Sequence, residues 1–94
     1  MNLKTEFKKD MGENPMGNGQ KIRQMGNYII EYYEDSFTFE RNKTKSRLQV
    51  YRRANDNEDH FRKWKQICDF EDYDGNLWDL FNNITEKEIM DRDN

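Results

Sequence analysis

The side chains that most often carry reaction chemistry are sparse in this chain. One histidine, His60, stands in the first turn of a predicted helix, and the single cysteine, Cys68, falls on the apolar face of that helix. The two serines, Ser36 and Ser46, lie outside any nucleophile-elbow context. Covalent catalysis needs a nucleophile, a base in hydrogen-bond reach and a third group that orients the base. One imidazole and one core thiol do not assemble that set, so His60 reads as a solvated helix-start residue and Cys68 as ordinary core. The carboxylates Asp69, Glu71, Asp72 and Asp74 are numerous enough for acid–base work. That work needs two environments that push the pKa values apart, one of them usually apolar, and a dense exposed run offers only one. The same run ends in Asp72-Tyr73-Asp74-Gly75-Asn76, which has the texture of a calcium loop. Setting Gly75 at the invariant glycine position puts Phe70 and Phe81 where the first and last acids belong, and the match fails. Gly12 and Gly17 have phosphate-loop spacing, but Asn18-Gly19-Gln20 stands where Lys-Ser/Thr is required. No catalytic residue, no metal ligand and no cofactor is expected, and the chain reads as a binding protein, not an enzyme.

Charge is sorted by position. Residues 41–55 hold six cations (Arg41, Lys43, Lys45, Arg47, Arg52, Arg53) and no acid, whereas residues 69–94 hold nine acids against Lys87 and Arg92. The net charge of −3 therefore hides a dipole, and separated charge governs partners and encounter rates, not fold. The acidic block interleaves carboxylates with rings. Asp69, Glu71, Asp72, Asp74 and Asp79 are spaced so that they could stand in for a row of phosphates before a basic groove, and Tyr73 and Trp78 are the candidate anchors. Trp78 lies one step off the apolar stripe of its predicted helix and is expected to be partly exposed. The alternative surface is basic: on a strand over 46–53, Arg47, Gln49, Tyr51 and Arg53 share one face and Arg52 projects to the other. Arginines beside a tyrosine could follow phosphates and stack on bases, although an acidic sequence pI of about 5.2 counts against that use.

The elements that must position these residues follow from periodicity. Ninety-four residues predict one small domain. Leu, Ile, Val and Phe make up 17 of its residues, so the core should be thin and rely on aromatic rings. Leu3, Phe7 and Met11 mark one helical stripe over residues 2–11. The stretch 12–26 holds four of the five glycines and Pro15, and predicts a loop. Period-two alternation then predicts strands over 27–34, 36–42 and 46–53, joined as an antiparallel meander. Helical spacing of Phe61, Trp64, Ile67 and Cys68 predicts a helix capped by Asp56 or Asn57. Asn76 caps a further helix burying Leu77, Leu80, Phe81 and Ile84, and Thr85 with Glu88 forms a capping-box pattern that restarts the chain as a short final helix. The acidic helical end spans 57–92. The fold class is α+β, in the order αβββαα, with a three-stranded antiparallel sheet packed by helices. A lone cysteine and apolar runs of at most three residues predict a protein of the cytoplasm, without a membrane span or leader.

The αβββαα order, the small size, the acid-rich end with its tyrosines and the glycine-rich 12–26 stretch resemble the small phage and prophage inhibitors of bacterial nucleases, especially anti-CRISPR proteins against type II systems. That resemblance implies a bacterial host cytoplasm and a partner protein with a basic surface, whose protospacer-adjacent-motif cleft such a domain occupies as a DNA mimic. It aligns no motif, so it carries no residue across, and the chain differs from good mimics in its small net charge and its basic block. The expected function is a non-catalytic inhibitor of a bacterial nucleic-acid-processing enzyme, with Asp69, Glu71, Asp72, Tyr73, Asp74, Trp78 and Asp79 at the contact. The alternatives are a small nucleic-acid-binding accessory protein using Arg47, Tyr51, Arg52 and Arg53, or a homo-oligomeric structural or regulatory phage protein, with a homodimer as its simplest form.

Overall fold

Two neighbouring isoleucines set the architecture. Ile29 and Ile30 are both fully buried, and successive residues of a strand point to opposite faces, so the sheet that holds them must be covered on both sides. The structure is a computed structural model. It describes residues 2–11, 17–35, 45–55, 57, 63–71 and 73–93, with backbone alone for 17–19 and 35. Helix α1 (Leu3–Met11) precedes four strands, β1 (Gly17–Met25), β2 (Tyr28–Asp35), β3 (Lys45–Arg53) and β4 (Trp64–Cys68). Helices α2 (Leu77–Asn83) and α3 (Glu86–Arg92) follow. The strands form one antiparallel sheet in the order β1-β2-β3-β4.

Each face of this sheet carries its own core. The β2/β3 register sets Ile29 opposite Tyr51, and these two, with Ile22 of β1 and Trp64 of β4, pack under Phe7 of α1. The Phe7 ring lies 5.0 Å from Tyr51 and meets Trp64 edge-on at 5.2 Å. One register step on, Ile30 faces Val50 and Tyr32 faces Leu48. That side is closed by Phe70, Phe81 of α2, Ile84 and Ile89 of α3. The C-terminal end is tied down as well: Arg52 Nε donates to both carboxylate oxygens of Asp93 at 2.9 and 3.1 Å, and the Tyr28 hydroxyl donates to the same group at 3.1 Å.

The α1 helix, the strands around 27–34 and 46–53, and the two final helices lie where periodicity places them. Asn76 Oδ1 accepts from the Asp79 amide at 3.0 Å, and Thr85 Oγ1 accepts from the Glu88 amide at 3.3 Å. Two expectations are overturned. Much of the glycine-rich stretch read as a loop is strand β1, joined to β2 by the two-residue turn Gly26-Asn27. Gly26 sits at φ +59°, the left-handed region that only glycine enters cheaply. The helix expected through Trp64, Ile67 and Cys68 is strand β4. Its ladder with β3 slips between Gln66 and Cys68, and the extra residue, Ile67, breaks the period of two. Trp64 therefore reaches the first core while Ile67 and Cys68 join the second, a spacing that mimics a helical stripe. Among the described residues the sheet thus has four strands, where three were expected. The expected strand 36–42, with Ser36, lies outside the described residues, as do Asp56, His60 and Phe61, and β2 pairs with β3 directly.

Glu31 is the buried carboxyl of the α1 side, placed between Ile22 and Gln49 in the register and accepting a hydrogen bond from Gln20 Nε2. Burial raises its pKa above the ordinary 4.5, against the opposing effect of Gln20. Between the unfolded and the raised native value the folded chain keeps a proton that the unfolded chain releases, so stability falls as pH rises through that window. Glu31→Gln should abolish this fall: urea midpoints of variant and wild type should converge near about pH 4 and separate by about pH 7, the variant being the more stable.

Candidate functional site

The segment between β4 and α2 is built from tight local turns. Asp69 Oδ1 accepts from the Glu71 amide at 3.3 Å, the Asp-initiated turn that short acidic side chains favour. The Tyr73 amide then donates to the Phe70 carbonyl at 3.2 Å, closing the next turn. Phe70 occupies the left-handed region at φ +51° although it is bulky and buried. A conformation of that kind costs roughly 1–3 kcal/mol and persists only where the surroundings enforce it. Here the ring is held in the second core, with the Arg92 guanidinium 4.4 Å above it. Tyr73 meets Phe70 edge-on and lies so close to Gly75 that a β-carbon there would fall 2.7 Å from the ring. A side chain at 75 would require the Tyr73 ring to move.

These turns wall one side of a cleft of about 310 Å³. Asp69, Phe70, Glu71 and Tyr73 come from the loop, Trp78 from α2, and Tyr32, Lys45 and Arg47 from β2 and β3. Trp78 stacks on Phe81 at 5.6 Å and meets Tyr32 edge-on at 5.2 Å, yet 43% of it is exposed; Tyr73 is 42% exposed. The Tyr32 hydroxyl donates to Glu34 at 2.7 Å, and burial raises its pKa. The cleft therefore joins uncovered ring surface to charges of both signs.

Of the acidic set predicted from sequence, Asp69, Glu71, Tyr73 and Trp78 line the cleft. Asp74 and Asp79 stay exposed beside them, each adjacent in sequence to a lining ring. Asp72 lies outside the described residues. Among the described residues no cation pairs with Asp69, Asp74 or Asp79. The basic strand behaves differently. Arg47 pairs with Glu71 at 2.6 Å, Arg52 with Asp93 at 2.9 Å, and Arg53 with Glu6 while also lying 5.3 Å over the Trp64 ring. The Tyr51 ring is buried against Phe7 and its hydroxyl donates to Gln49 at 2.6 Å, so it offers no free face to a base. Charges separated along the sequence are folded back onto each other.

Three participants were not legible beforehand. Tyr32 reads as a strand residue, and only the packing of α2 brings Trp78 against it. Phe70 has no sequence mark of its backbone strain. Lys45 belongs to the basic block, yet it lines the same cleft as Asp69. Cys68 packs at the edge of the second core, and burial pushes its thiol up to about 11, which keeps it protonated and unreactive at neutral pH. The described residues contain no group of three or more His, Cys, Asp and Glu side chains disposed to hold a metal ion, and no helix among them is long and apolar enough to cross a membrane.

Comparison with known proteins found no matching family model, no significantly similar curated protein and no similar solved structure.

The Tyr73–Gly75 contact makes a direct prediction. Gly75→Ala should displace the exposed Tyr73 ring at a stability cost within about 0.5 kcal/mol, because no core group moves. Two-dimensional NMR should show shifted Tyr73 and Trp78 ring resonances with an unchanged thermal midpoint; a large drop in the midpoint would mean that the Tyr73 ring supports the core through Phe70.

Proposed function

We propose that the chain is a non-catalytic binding protein whose cleft end docks on a basic protein surface. In its specific form it is an inhibitor of a bacterial nucleic-acid-processing enzyme, of the anti-CRISPR kind. The observation that carries this reading is the pairing of two half-exposed rings, Tyr73 and Trp78, with carboxylates that form no ion pair among the described residues, Asp69, Asp74 and Asp79. Large rings beside charges are the usual anchors of interfaces, and unpaired carboxylates steer and orient a cationic partner. Direct nucleic-acid binding by Arg47, Tyr51, Arg52 and Arg53 is the weaker reading. It would require breaking three internal ion pairs and lifting α1 from Tyr51.

The test is capture from a bacterial lysate at low and at high salt, followed by activity assays on the enzyme retained, a type II CRISPR nuclease among them. Retention should be lost at high salt. Asp74→Lys combined with Asp79→Lys should weaken binding by at least about tenfold, and Trp78→Ala should cost about 2 kcal/mol or more if the ring is an anchor. Binding indifferent to salt and to charge reversal refutes an acidic docking surface.

A further inference from the structure

Taking the docking reading as its base, we infer that the cleft is a receptor for one arginine side chain of the partner. The guest guanidinium would lie against the Trp78 and Tyr73 rings and pair with Asp69.

The size of the cleft suits that guest. About 310 Å³ sits at the lower limit of ligand sites, room for the end of a side chain more than for a whole cofactor. Its walls suit a flat cation. Trp78 and Tyr73 keep two-fifths of their surface open, and the electron-rich faces of such rings attract guanidinium groups. The charges around it are asymmetric in what they leave available. Glu71 is held by Arg47 at 2.6 Å. Asp69 lines the cleft, contributes one oxygen to the Glu71 amide and forms no ion pair among the described residues. Lys45 and Arg47 line the other side of the cleft, so a cationic guest is accommodated only at the end held by the rings and Asp69.

The molecule already practises this recognition on itself. Arg92 stacks over Phe70 at 4.4 Å, Arg53 over Trp64 at 5.3 Å and Arg23 over Phe81 at 5.7 Å. Arg53 also pairs with Glu6, so one guanidinium is held by a ring and a carboxylate together. The cleft sets the Trp78 and Tyr73 rings beside the Asp69 carboxylate, the same combination of ring and acid. Arginine fits better than lysine because its guanidinium is planar, weakly hydrated and able to stack and to bind a carboxylate through two donors at once. A row of carboxylates alone would make no such distinction.

Oligo-arginine and oligo-lysine peptides of equal length test this, with binding to the whole chain followed by calorimetry and by tryptophan fluorescence. Trp64 is buried and Trp78 is exposed, so a fluorescence change on binding reports the cleft. Oligo-arginine should bind about tenfold more tightly than oligo-lysine and alter the emission. Trp78→Ala and Asp69→Asn, both at solvent-accessible positions and checked for folding by circular dichroism, should each bring the two peptides to parity. Equal affinity of the wild type for both peptides overturns the arginine receptor and leaves acidic docking intact. An arginine preference that survives both substitutions overturns the location. Failure of both peptides to bind at low salt overturns the docking reading itself.

Discussion

A sheet buried on both faces is the constraint from which the other features descend. Ile29 and Ile30 point in opposite directions and neither can face water, so a chain with few aliphatic residues must find cover twice. It does so with short elements. On one side α1 contributes Phe7 to Ile22, Ile29, Tyr51 and Trp64. On the other, two seven-residue helices contribute Phe81 and Ile89, with Ile84 between them. Helices of that length do not hold in water alone; they exist because the second face of the sheet needs them and because Asn76 and Thr85 cap their free amides.

Thin cover leaves gaps, and charged side chains fill them. Arg23 reaches from β1 to the Phe81 carbonyl while its guanidinium lies near the Phe81 ring, Arg52 grips Asp93, and Arg92 lies over Phe70. Exposed ion pairs contribute little each, roughly 0–1 kcal/mol. The long arginine stems add apolar cover that the pairing energy alone does not measure. The basic strand therefore acts as an internal fastening. Arg53 holds α1 through Glu6, Arg47 holds the β4–α2 loop through Glu71, and Arg52 holds the C-terminal end through Asp93.

That fastening decides which charge faces outward. With the arginines engaged, what the loop and α2 leave uncovered is acidic and aromatic, and the cleft lies where the fastened loop meets the ends of β2 and β3. Phe70 accepts a strained backbone there while its ring serves the core and its neighbour Tyr73 turns outward. Core and surface thus share one short loop, so the shape of the cleft is set by packing beneath it.

Much of this was legible in the chain itself. The α1 stripe, the alternation through Ile29–Tyr33 and Leu48–Tyr51, both C-terminal caps and the half-exposed position of Trp78 all follow from local pattern, because each depends on neighbours within a few residues. Strand β1 did not show itself, because its described side chains, Gln20 to Met25, offer little apolar alternation. The Gly26-Asn27 pair was its hairpin signal. Strand β4 looked helical because a bulge displaced its apolar residues by one. The union of Arg47 with Glu71, of Tyr32 with Trp78, and of Lys45 with Asp69 around one cleft was decided by tertiary structure alone. These partners stand 24 to 46 positions apart, and only the antiparallel register and the docking of α2 bring them together.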